Sequence, residues 1–219
     1  MKIAHSAHSV ILIAALALAN GALAQNKNVP APAPAKEVRG VYATIDVSKS
    51  QEMEKRLTSS GDRRAAIREV LKAPGSFAPP VLYALANALS GDQPETAIFW
   101  YHVGRLRIVY DALRCRDKTV RRIIPQIGKK LSLELRQSQY YHREGLVAIA
   151  KKAIEWDSNN PRDYDQRWIA LLGDVASSSP GTDPNEVFRA KSRWPEILKH
   201  VHDAHLKSVE EFVAEKKDN

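Results

Sequence analysis

From Ser50 to Lys216 the apolar residues recur at helical spacing, and prolines and glycines break that periodicity into short lengths. A chain written this way folds as packed helices. Ser50–Ser60 and Asp62–Lys72 read as two short helices, the second carrying Ala66, Ile67, Val70 and Leu71 on one face and stopping at Pro74-Gly75. Pro79 and Pro80 open the next helix, where a missing amide costs nothing; it runs to about Leu89 and ends at Gly91. Pro94 opens a longer one to about Arg114. Asp117 is placed to cap a helix running towards Arg136, which Pro125 should kink or split. Further helices are expected over Tyr140–Trp156, Tyr164–Ala176 and Trp194–Lys216. The loop SSSPGTDP ends at an Asp183-Pro184 helix start. The β-branched stretch Val41–Val47 is isolated, so at most an edge strand or extended lead-in is expected there. The expected fold is all-α: a compact domain of about eight helices over residues 41–219.

The first 24 residues set the compartment. Lys2, His5 and His8 precede the apolar run Val10–Ala19, and Ala22-Leu23-Ala24 has the small-x-small pattern cleaved by a signal peptidase. Ten apolar residues are too few to span a bilayer, and no second long apolar run follows. Cleavage between Ala24 and Gln25 is expected to release a periplasmic or secreted protein with no transmembrane segment. Residues 25–40, QNKNVPAPAPAKEVRG, alternate proline with alanine and read as a semi-rigid linker. Cys115 is the only cysteine, so no internal disulfide can form and packing alone must stabilise the fold.

Residues 80–106, PVLYALANALSGDQPETAIFWYHVGRL, resemble one unit of the tetratricopeptide and Sel1-like helical repeats. Ala84 and Ala88 lie on the first helix, Gly91-Asp92 forms the turn, and Ala97, Trp100, Tyr101 and Gly104 fall on the second. No second copy follows at the repeat period. The resemblance implies antiparallel helical hairpins and a protein-binding scaffold.

The chain carries 33 basic and 25 acidic residues, a net charge of +8, of which the signal contributes only Lys2. The basic excess concentrates between His102 and Arg136: Arg105, Arg107, Arg114, Arg116, Lys118, Arg121, Arg122, Lys129, Lys130 and Arg136 face only Asp111, Asp117 and Glu134. Arginine's planar fork suits carboxylates and phosphates. An acidic protein partner is therefore expected, bound through Arg105, Arg107, Arg114, Arg116, Lys118, Arg121 and Arg122, with Trp100 of the Phe99-Trp100-Tyr101 row as an aromatic anchor. Reversing Arg114, Arg116, Arg121 and Arg122 to glutamate should abolish that contact and leave the domain folded. Anionic lipid or wall polymer is the alternative partner; nucleic acid is not expected for an exported chain.

Three clusters carry weaker chemical readings. Arg114 and Arg116 flank Cys115 and should lower its pKa, with His142 the nearest downstream histidine. His200, His202, Asp203 and His205 form pairs three apart, but those pairs point in different directions around a helix, which argues against one metal site. Asp157, Asn159, Asn160 and Asp163 read as capping and turn residues rather than a calcium loop. Neither a nucleophile elbow nor a phosphate-binding glycine loop is present. The expected protein is a non-catalytic binding module of immunity type, with no cofactor. A cysteine- or metal-dependent enzyme is the least favoured reading.

Overall fold

The computed structural model describes residues 38–178 and 187–215. The signal and most of the linker, the 179–184 part of the SSSPGTDP loop and the Asp183 cap lie outside them. The fold is all-α, and the described residues contain nine α-helices and no strand. These are α1 (Ser48–Thr58), α2 (Arg63–Lys72), α3 (Pro79–Leu89), α4 (Pro94–Arg114), α5 (Ile123–Ile127), α6 (Leu133–Tyr141), α7 (Leu146–Asn159), α8 (Val175–Ser178) and α9 (Trp194–Ala214). No helix among the described residues is long and apolar enough to cross a membrane.

Helix α4 is the axle. It packs against α3 in an antiparallel hairpin and against α6, α7 and α9 on its other sides; α1 lies along α3. The hairpin closes tightly because Gly104 lets the Tyr83 ring rest on the α4 backbone: a Cβ at that position would meet Tyr83 Cδ2 at 2.8 Å and Leu82 Cβ at 3.3 Å. A helix contacted on so many sides buries its polar residues with its apolar ones. His102, Arg107, Asp111 and Arg114 are all inside, beside Ile98, Val103, Leu106 and Ile108. Ion pairing within the interior follows from that, since a charge removed from water requires a partner.

Three expectations change. Val41–Val47 is not extended: Gly40–Thr44 form a 3-10 turn, entered through Gly40 at φ 58°. Val41, Tyr42 and Ile45 are buried there, a turn-like spacing rather than strand alternation, and the described residues offer no strand to pair with. The helix expected from Asp117 to Arg136, with a kink or split at Pro125, is divided at more points than that proline. Asp117 does cap, accepting the Thr119 N–H at 2.8 Å, but it caps a 3-10 turn, Lys118–Arg122. Pro125 leaves only the short α5, and Ser132 restarts the chain as α6 by accepting the Leu135 N–H at 3.1 Å. The segment after Tyr164 is likewise mostly 3-10, Gln166–Leu172, followed by α8.

Candidate binding surface and the buried charge network

The arginine-rich segment divides into an interior half and an exterior half. Arg107, Asp111 and Arg114 stand at positions i, i+4 and i+7 of α4, on one helix face, and each has no exposed surface. That face holds the loop between α7 and α8. Arg107 Nε donates to Asp157 Oδ1 at 3.0 Å, and its Nη2 donates to the Asn160 and Pro161 carbonyls at 3.2 and 3.1 Å. Asp157 also accepts from Arg162 at 2.6 Å and lies 3.0 Å from His202 Nε2. Asp111 accepts from Arg114 at 2.6 Å, the Tyr164 hydroxyl at 2.9 Å and the Trp168 indole N–H at 2.8 Å. Arg114 also donates to Gln166 at 2.6 Å.

Arg114 sits in an aromatic enclosure, with its guanidinium carbon 4.2 Å from the Tyr110 ring centre, 4.3 Å from Trp194 and 4.8 Å from Phe188. Its Nε and Nη1 have no hydrogen-bond acceptor, and the surrounding ring faces supply cation–π attraction in place of one. Burial pushes the Asp111 carboxyl up, against the pull of Arg114, Trp168 and Tyr164. Burial acts on Asp157 in the same sense, but His202, Arg162 and Arg107 together hold it below the usual carboxylate value. These side chains are spent on one another, and their chemistry is structural: they tie the axle to the loop.

Arg107 and Arg114 therefore do not belong to a binding surface. Trp100 leaves it too: 6 % exposed, it packs edge to face with Phe99 and Trp156 at 5.1 and 5.2 Å. The expectation that Arg114 can be reversed without unfolding is also overturned, because a glutamate there would face Asp111 inside the core. Arg105 is half-buried on α4, roughly 14 Å along the helix from Arg114 at the helical rise.

Arg116, Lys118 and Arg122 are exposed and Arg121 is half-buried. A feature no local pattern announces joins them to a distant basic run. Cys115 and Phe188 form an antiparallel bridge: the Arg116 N–H donates to Val187 O at 3.0 Å, and the Arg189 N–H to Arg114 O at 2.9 Å. Arg116 Nε adds a bond to Phe188 O at 3.0 Å. The bridge sets Arg189 against the 114–116 stretch of chain, with Lys191 and Arg193 following it in sequence. Arg122 pairs with Asp174 and Arg193 with Glu196, whereas Arg116, Lys118, Arg121, Arg189 and Lys191 have no salt bridge among the described residues. No family model, curated protein or solved structure matches the chain.

The other clusters resolve locally. Cys115 is 1 % exposed, and burial raises its thiol to about 11, opposite to the lowering expected from its arginine neighbours. His142 Nδ1 lies 3.0 Å from the Ser138 carbonyl oxygen, one turn back. His205 meets His102 of α4, Nε2 to Nδ1 at 2.9 Å, while His202 turns to Asp157; the two histidines fasten α9 at different points. Asp157 is no simple capping residue but the hub of the buried network. The signal for it was present in the i, i+4, i+7 charges of α4, which needed opposite charges somewhere in the fold.

Proposed function

We propose that this chain is an exported, non-catalytic α-helical binding module that takes an acidic protein partner, as an immunity-type protein would. The contact surface is the basic one around the 115/188 bridge. The observation that carries this reading is the bridge itself, which adds the run beginning at Arg189 and Lys191 to Arg116, Lys118 and Arg121, none of the five having a salt bridge among the described residues. Such a surface accelerates encounter with an acidic face and fixes orientation, and its strength falls with salt. The helical hairpin of α3 and α4 serves as the scaffold, in keeping with its resemblance to repeat units that hold proteins.

The test is affinity capture from the native envelope fraction at low and moderate salt, comparing the natural chain with the triple variant Arg116→Glu, Lys118→Glu, Arg122→Glu. A stoichiometric acidic protein retained by the natural chain and lost by the variant supports the reading. Equal capture by both chains removes its basis. Retention of anionic vesicles in place of any protein reassigns the surface to the envelope lipid.

A further inference from the structure

A second concavity lies away from the basic surface. A groove of about 900 Å³ runs between α1, α3, α5 and the 3-10 turn 166–172, within the range of pockets that enclose a small molecule. Its two ends differ in character. Ser50 in the first turn of α1 accepts the Ala78 N–H at 3.0 Å, so α1 and α3 start side by side. At that end the lining is Val47, Pro80, Ile108, Trp168 and Leu171. Roughly 12 Å further along α3, from Pro80 to Ala88 at the helical rise, the lining becomes ionic. Asn87 is fixed there by the Lys130 carbonyl at 3.0 Å and the Ser132 N–H at 2.9 Å, and Glu54, Asp92 and Glu134 line the same end with Arg63 and Lys130. Ala84, between the two ends, keeps the middle open.

The charge at this end runs against the rest of the molecule. In a chain of net charge +8, the acids here outnumber the bases, and none of the three acids has a salt bridge among the described residues. Glu54 is the half-buried one; burial raises its carboxyl pKa, opposed by Lys130. A carboxylate in that position gains most from an incoming cation, because charge–charge attraction is strengthened where water is thinned.

We infer that the groove binds a single-chain amphiphile, its hydrocarbon tail along Ala84, Ile108 and Trp168 and its ammonium head against Glu54. An alkylamine and the ammonium end of a zwitterionic lysolipid share that chemistry. The test is calorimetric titration of the full chain with dodecyltrimethylammonium, dodecylphosphocholine and dodecyl sulfate, each below its critical micelle concentration. One saturable site for an ammonium ligand is expected, with dodecyl sulfate markedly weaker. Tighter binding of dodecylphosphocholine than of the simple ammonium points to the lysolipid, and the reverse order to an amine.

Glu54→Gln should weaken dodecyltrimethylammonium about tenfold, and Ala84→Trp, which fills the groove, should remove binding. Glu54→Gln keeps the shape of a half-buried side chain on α1 and keeps the test decisive if Ala84→Trp unfolds. Absence of saturable binding by both ammonium ligands, equal binding of dodecyl sulfate, or an unchanged affinity in Glu54→Gln overturns the inference. Titration in the Arg116→Glu, Lys118→Glu, Arg122→Glu background separates dodecyl sulfate held by the basic surface from dodecyl sulfate bound in the groove, so failure of this inference and failure of the proposed function are distinguishable.

Discussion

Arg114 decides how much of the charge in this chain is structural. Its guanidinium is fully buried between Tyr110, Phe188 and Trp194 and bonded to Asp111. Arg114→Leu leaves that carboxylate buried without its cation, so a loss of about 3–5 kcal/mol is expected in urea unfolding. A change below about 1 kcal/mol would show that Tyr164 and Trp168 alone satisfy Asp111. The histidine pair gives a second residue-scale prediction. Burial, followed by the charges of their neighbours, depresses His102 to about 3 and His205 to about 4 from an ordinary 6.5. Folded protein then binds fewer protons than unfolded protein over this window. Stability from the pair is complete above pH 6.5 and is lost as pH falls from there through about 4. The charged or titratable groups around the pair are Arg105, Tyr101 and His202, and the lowered Asp157 pKa adds its own loss at lower pH. Melting temperatures from pH 7 to 4 should fall less steeply in the double variant His102→Gln, His205→Gln; identical slopes would contradict the assignment. In the sequence, the helical phase of Arg107, Asp111 and Arg114 was readable, but Asp157, fifty residues away, is found only by folding the chain.

At the scale of elements, the close approach of α3 and α4 rests on Gly104. Gly104→Ala places a methyl against the Tyr83 ring and Leu82, and overpacking of this kind costs about 1–3 kcal/mol, measurable as a lowered denaturation midpoint with an unchanged slope. Gly173 is the counterpart on the far side: a Cβ there would collide with the Asp117 carboxylate, which caps Thr119 and accepts the Val175 N–H at 3.0 Å. Gly173→Ala is expected to cost at least the roughly 1 kcal/mol of a lost cap. Helix starts were the most legible elements. Pro79 and Pro94 mark theirs directly, and α4 ends where the sequence places it, at Arg114. The segment after Tyr164 was read as a single helix because its apolar spacing is helical, and the one from Asp117 as a helix kinked or split at Pro125 alone. What divides them is side chain–backbone bonding by Asp117, Ser132 and Asp165, each of which satisfies local amides in a tight turn.

For the whole molecule, the division of one basic segment between interior and surface sets how it responds to mutation. Arg116→Glu, Lys118→Glu and Arg122→Glu should leave the melting temperature within a few degrees, since surface changes of this kind shift stability by about 0.5 kcal/mol or less each. Changing Arg107 or Arg114 should instead destabilise the domain itself by several times as much, about 3–5 kcal/mol. The surface became visible only with the 115/188 bridge, which joins chain positions more than seventy residues apart; sequence alone shows two basic runs and no reason for them to meet. That bridge also equips the molecule with a clock. Cys115, the sole thiol, is shut away at the junction, so an alkylating reagent can reach it only while the fold around the bridge is locally open. The rate of its modification therefore counts those openings, and a partner clasping both basic runs at once would slow the count without touching the sulfur.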